Sequence, residues 1–149
     1  MIRINIDTSE VKKAIAQIQA FRQYKEARLM IAVQKGAEAI EDKARENLVE
    51  NDMIDTGELY RSVDTVQTGF DAWIGTPHKY GLYQEYGTGI YAVHGNGRKT
   101  PWRYYYRGRK YPHGWRWTRG NKPQPWLIPA FTEGIPEFQK EIIDALRGW

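Results

Sequence analysis

The side chains best able to do chemistry in this sequence are scattered. The three histidines, His78, His94 and His113, are not spaced as a metal pair on one helix or strand, and no cysteine is present to complete a site. Asp71 with Glu85, or Glu58 with Asp64, could form a carboxylate pair for glycosidase-like chemistry, but nothing in their surroundings points to a shifted pKa. Ser9 reads as a helix cap, and Ser62 has no nearby histidine to activate it as a nucleophile. Gly87-Thr88-Gly89 and Gly95-Asn96-Gly97-Arg98 are glycine-rich, yet no Gly-Lys-Ser/Thr follows either, so both read as turns and not as phosphate cradles. The expectation is a protein without catalytic residues, cofactor or metal.

One segment stands apart. Between Glu85 and Glu133 there is no acidic residue, and that gap holds nine positive charges: Arg98, Lys99, Arg103, Arg107, Arg109, Lys110, Arg116, Arg119 and Lys122. The other 13 basic residues face all 18 acidic ones, so the net +4 of the chain conceals a remainder at −5. Aromatics are interleaved with these cations: Tyr91, Trp102, Tyr104, Tyr105, Tyr106, Tyr111, Trp115 and Trp117. Three readings fit. Arginines could neutralise phosphates while the rings stack on bases. The same Tyr, Trp and Arg are the residues of protein-binding hot spots. A self-packed hairpin with a solvated basic edge would also account for them.

The elements that must position this segment can be read from periodicity. Ile2, Ile4 and Ile6 alternate with polar residues, predicting a short strand. Asp7, Thr8 and Ser9 are N-cap types, and a helix with Val11, Ile15 and Ile18 on its apolar stripe should follow. Met30, Val33, Ala37, Ile40, Ala44 and Leu48 predict a second helix over about 24–49, with Gly36 as its weak point unless another backbone packs against it. A short turn capped by Thr56 and a hairpin across Gly69-Phe70-Asp71 come next. Tyr80, Leu82, Tyr83 and Tyr86 then predict a two-turn helix with an aromatic face, stopped by Gly87. Trp102–Arg107 should pair with Trp115–Arg119. Three prolines predict an extended path over 122–129, and a final helix should begin near Pro136, with Ile135, Phe138, Ile142 and Leu146 as its stripe. The sum is one α+β domain over residues 1–149: a long helix and a C-terminal helix packed on a small, mostly antiparallel sheet, with a projecting hairpin insert at about 90–122. At 149 residues with 41% hydrophobic content the chain can bury one core; absent cysteine excludes structural disulfides, and no apolar run is long enough to suggest a signal peptide or membrane span.

Three motifs occur in order: Asp55-Thr56-Gly57-Glu58-Leu59-Tyr60-Arg61-Ser62, Tyr80-Gly81-Leu82-Tyr83-Gln84-Glu85-Tyr86-Gly87-Thr88-Gly89, and Pro123-Gln124-Pro125-Trp126-Leu127-Ile128-Pro129-Ala130. This order resembles the tail-component family of long-tailed bacteriophages, the head–tail joining or tail-completion proteins, over residues 24–149. The insert at 90–122 is longer and more aromatic than the family pattern, and Gly134 and Pro136 interrupt a final helix that is often continuous.

The resemblance implies a structural part of the virion neck, made in the host cytoplasm, with no enzymatic activity and no cofactor. Its partners would be other copies of itself in a ring, commonly of six, together with the head connector or stopper and the tail terminator or tube proteins. No membrane is implied. The motif residues Thr56, Gly57, Gly87 and Gly89 would shape turns, Tyr83 and Tyr86 would pack in core and interface, and Pro125 and Pro129 would fix an extended path. The insert would dock a neighbour through Arg103, Arg107, Arg109 and Arg116, with Trp102, Trp115 and Trp117 as buried anchors. Contact of the same arginines with DNA in the neck lumen stays open. The alternative is a small basic phage-encoded nucleic-acid-binding protein. A toxin-like ribonuclease would need a catalytic set around His94 or His113.

Overall fold

The computed structural model describes residues 8–147. The strand expected at Ile2–Ile6 and the cap at Asp7 lie outside the described residues. The element order is α1 (Ser9–Glu50), α2 (Glu58–Ser62), β1 (Asp64–Thr68), β2 (Asp71–Gly75), α3 (Lys79–Tyr86), a 3-10 turn (Gly89–Tyr91), β3 (Trp102–Tyr106), β4 (Gly114–Thr118) and α4 (Leu127–Arg147). The fold is α+β: a long N-terminal helix, a C-terminal helix and two separate two-stranded antiparallel sheets.

The two N-terminal helices expected from the sequence are one. No glycine or proline lies between Val11 and Lys35, so nothing interrupts the ladder, and α1 runs for 42 residues, about 63 Å. Its second half carries the expected stripe: Val33, Ala37, Ile40, Ala44 and Leu48 are buried. Its first dozen residues are exposed on every side, including Val11, Ile15 and Ile18. That stripe has no partner in the described part of the chain.

The core gathers Ile40, Ala44 and Leu48 of α1, Met53, Leu59 and Val63 from the following turns, and Trp126 and Ala130 at the start of α4, with Ile74 of β2 packed against it. α1 and α4 cross closely because each presents a glycine at the other's bulk. A β-carbon on Gly36 would enter the Phe138 ring, and one on Gly134 would enter the Ile40 side chain. Gly36 thus answers to the close packing that its position in a helix required.

α4 begins at Leu127, nine residues before the expected start. Pro129 falls in its first turn, where a missing N–H costs nothing, and Pro136 is tolerated on the exposed side. The extended stretch therefore ends at Pro125. Helix formation is favoured across the prolines because both ends of α4 are capped by other elements. At its N-terminus the Glu85 carboxylate of α3 accepts the backbone N–H groups of Trp126 (2.8 Å), Leu127 (2.8 Å) and Ile128 (3.0 Å). At its C-terminus Lys25 Nζ donates to Leu146 O at 2.7 Å, and Arg28 reaches the Asp144 carbonyl. Anion at the start and cation at the end both complement the helix dipole.

Candidate partner-binding surface

The β3–β4 hairpin forms as expected, with Arg103 opposite Trp117 and Tyr105 opposite Trp115. Because side chains alternate along a strand, these four residues share one face, and Trp102, Tyr104, Tyr106, Arg116 and Thr118 share the other. The second face looks inward over an open cleft of about 1170 Å³, whose far wall includes Tyr80, Tyr83, Tyr86 and His94.

The hairpin does not project freely; it is tied down at both ends. At the turn, the Asp55 carboxylate accepts the Tyr106 hydroxyl at 2.7 Å and the backbone N–H groups of Arg109 and, at 3.0 Å, Lys110. Lys110 Nζ completes this latch with an ion pair to Asp52 at 2.8 Å. Gly108 is required where the chain passes Asp55, since a β-carbon there would strike its carboxylate. At the base, Thr88 N–H donates to Asn121 O at 2.9 Å and Ile90 N–H to Arg119 O at 3.0 Å. The left-handed Gly89 (φ +60°) lets these two segments touch, because a side chain would collide with the Arg119 carbonyl.

The latch sets three titrations. Partial desolvation pushes the Asp55 carboxyl upward, but the Tyr106, Arg109 and Lys110 hydrogen bonds and the Lys110 charge outweigh it and hold the carboxyl below its ordinary range. Desolvation and the bond to Asp55 raise the Tyr106 phenol. The hydrogen bond and charge of Asp52 raise Lys110.

The outer face is a stack. Arg103 lies over Trp115 at 5.1 Å and over Trp117 at 5.9 Å, Arg107 over Tyr105 at 5.5 Å, and the Tyr105 and Trp115 rings meet edge to face at 5.5 Å. Trp115 is 63% exposed and Trp117 70%. Two indoles held rigid by stacking, yet open to solvent, are unusual in a monomer and are the anchors an interface uses. Of the residues expected to face a partner, Arg103, Trp115 and Trp117 lie on this outer side, Arg107 stacks on Tyr105 and also borders the cleft, and Arg109 is exposed in the turn. Trp102 and Arg116 turn inward: Trp102 is half-buried under Arg98, and Arg116 stacks on Tyr106 and Tyr111 and donates to Pro112 O. Their place is in holding the hairpin together.

No family model matches the chain, no curated protein matches it, and no solved structure matches it.

The motif residues fall into structural places. Gly57 (φ +81°) starts α2, and the Thr56 hydroxyl accepts a long 3.4 Å bond from Glu58 N–H. Gly87 (φ +72°) ends α3. Tyr83 and Tyr86 line the cleft, Tyr83 half-exposed, so the aromatic face of α3 is turned away from the core. The face of α3 that is buried is Gly81, Gln84 and Glu85, against Trp126. Glu85 is the residue that sequence reasoning passed over; the clue was a helix beginning Pro-Trp-Leu with no Ser, Thr, Asp or Asn to cap it. Ser62 is engaged with Thr76 and the Leu59 carbonyl. Among the described residues, no group of His, Asp and Glu could hold a metal ion.

Two further exposed apolar surfaces were not foreseen as such. One is the stripe of Val11, Ile15 and Ile18 on the projecting end of α1. The other is the outer side of β1–β2, where Val66 pairs across the strands with Trp73 and Phe70 caps the turn, all three more than half exposed.

Proposed function

We propose that this protein is a structural, non-enzymatic part of a bacteriophage neck that joins head connector to tail by docking onto copies of itself and onto neighbouring proteins. The observation that carries the reading is the outer face of the hairpin. Trp115 and Trp117 are pre-stacked around Arg103 and exposed, on a strand pair fixed at both ends, so they lose little side-chain entropy on docking. The resemblance of the three ordered motifs supports this reading, and each motif has a structural place in the fold. Glu85 and Trp126 join the second motif to the third, and Asp55 of the first holds the hairpin. The exposed α1 stripe and the Val66–Trp73 face add further docking area of the kind an assembly protein needs.

A second reading has its own support. The Arg103–Trp115–Trp117 stack is also a platform on which unpaired bases could lie, with the acid-free basic segment around it. It predicts DNA affinity of the isolated chain that falls steeply with salt. The neck reading predicts weak DNA affinity, and loss of head–tail joining when Arg107 and Arg109 are both reversed to glutamate. Normal plaques from that double variant would count against it.

A further inference from the structure

Of the hairpin's cations, Lys110 is paired with Asp52. Among the described residues Arg103, Arg107 and Arg109 make no ion pair. An opposite surplus lies elsewhere. Glu38, Glu41 and Asp42 of α1 and Asp64 of β1 line a second concavity of about 550 Å³. Glu41 is satisfied by Arg45 at 2.7 Å, but Asp42 has only a 4.0 Å approach from the same arginine, and among the described residues Glu38 and Asp64 meet no cation. Thr65, whose buried hydroxyl lacks a hydrogen-bond partner, is on the same wall.

We propose that the outer face of β3–β4 docks on this acidic face of α1 and β1 in a second copy of the chain. This rests on the reading of the hairpin as a protein-docking element. The occupant is argued from charge: a nine-positive segment on a chain whose remainder is at −5 is complementary to another copy of itself. The Trp115 and Trp117 rings would cover the groove while Arg103 and Arg107 pair with Glu38, Asp42 and Asp64. Two different patches meet, so a two-fold pair of copies would form the contact twice, hairpin on acidic face in both directions. Used once between each pair of copies, it leaves one hairpin and one acidic face free at the ends of an open chain, which closes into a ring or runs on as a filament.

The test is sedimentation velocity of the purified full-length chain at low and high salt. It compares the native protein, Arg103→Glu/Arg107→Glu, Glu38→Lys/Asp42→Lys, and an equimolar mixture of the two variants. The native chain should associate at low salt and dissociate as salt rises. Each variant alone should associate at least roughly tenfold more weakly. The mixture should recover association, because each reversed face then meets the other variant's reversed partner and each native face meets a native one. Arg103→Gln/Arg107→Gln, which removes charge without creating repulsion, should weaken association in the same direction. A native chain that stays monomeric at low salt would overturn the proposal. So would a hairpin variant that associates as well as native, which would shift the contact to the apolar stripe of α1. A mixture that fails to recover would overturn it too, as would hairpin variants that lose affinity for single-stranded DNA while self-association is unchanged. Failure here leaves the neck reading to be judged by particle morphology, and failure there leaves this interface standing.

Discussion

The carboxylate of Glu85 and the backbone amide of Trp126 meet at 2.8 Å, and through that contact α3 caps the helix that follows it by forty residues. Two more amides, of Leu127 and Ile128, converge on the same side chain. Trp126 answers by donating its indole N–H to Gly81 O of α3 at 3.0 Å, and its carbonyl accepts from Asn47 of α1 at 2.9 Å. Three helices are thereby held by one buried acid and one buried indole.

Glu85→Ala should cost about 3 kcal/mol of unfolding free energy, since it strands three amides and removes charge-assisted bonds. Glu85→Gln keeps an acceptor and should cost about half as much. Chemical denaturation measures both. An alanine variant within about 0.5 kcal/mol of native, the range of ordinary surface changes, would mean that water caps α4 equally well.

The helix crossing makes a second prediction. Alanine is a better helix former than glycine by about 1 kcal/mol, so Gly36→Ala and Gly134→Ala would stabilise an isolated helix. Here each should lower stability by about 1–2 kcal/mol, because the added methyl meets Phe138 or Ile40 and the helices must part. Thermal or urea denaturation decides the sign, and a rise in stability would show that the partner side chains move aside.

The latch at the hairpin turn gives a pH window. Asp55 titrates below its ordinary value in the folded protein, so its contribution is complete above about pH 4 and is lost as pH falls through the folded value. Tyr106 and Lys110 are raised, so theirs is complete below about pH 10 and is lost as pH rises through their folded values. Amide exchange at Arg109 and Lys110 should be slowed between those limits, after correction for intrinsic rates, and released in acid. Asp55→Asn should weaken the protection already at neutral pH while leaving amides of α1 and α4 unchanged. Equal protection in native and variant would remove Asp55 as the latch.

Much of this architecture was legible in the sequence where one local signal sufficed. The stripe from Val33 to Leu48, the Gly69 turn and the pairing of Trp102–Tyr106 with Gly114–Thr118 each follow from period or turn chemistry. What failed to show depended on distant contacts. Pro129 and Pro136 argue for a late start to α4 only until Glu85 is seen to cap it earlier. Val11, Ile15 and Ile18 carry the period of a buried face, and no period reveals that the described residues offer nothing to cover them. The candidate surface divided for the same reason. Composition marked seven Trp and Arg side chains alike, and only strand register turned Trp102 and Arg116 inward and Arg103, Trp115 and Trp117 outward.

The neck assignment itself is tested most directly by electron microscopy. On this account the gene belongs to a long-tailed phage, and a lysate of that phage lacking the gene should contain DNA-filled heads beside complete but separate tails, with joining restored by supplying the native chain. Intact joined particles in that lysate would contradict the account and leave nucleic-acid binding by the Arg103–Trp115–Trp117 face as the reading to pursue.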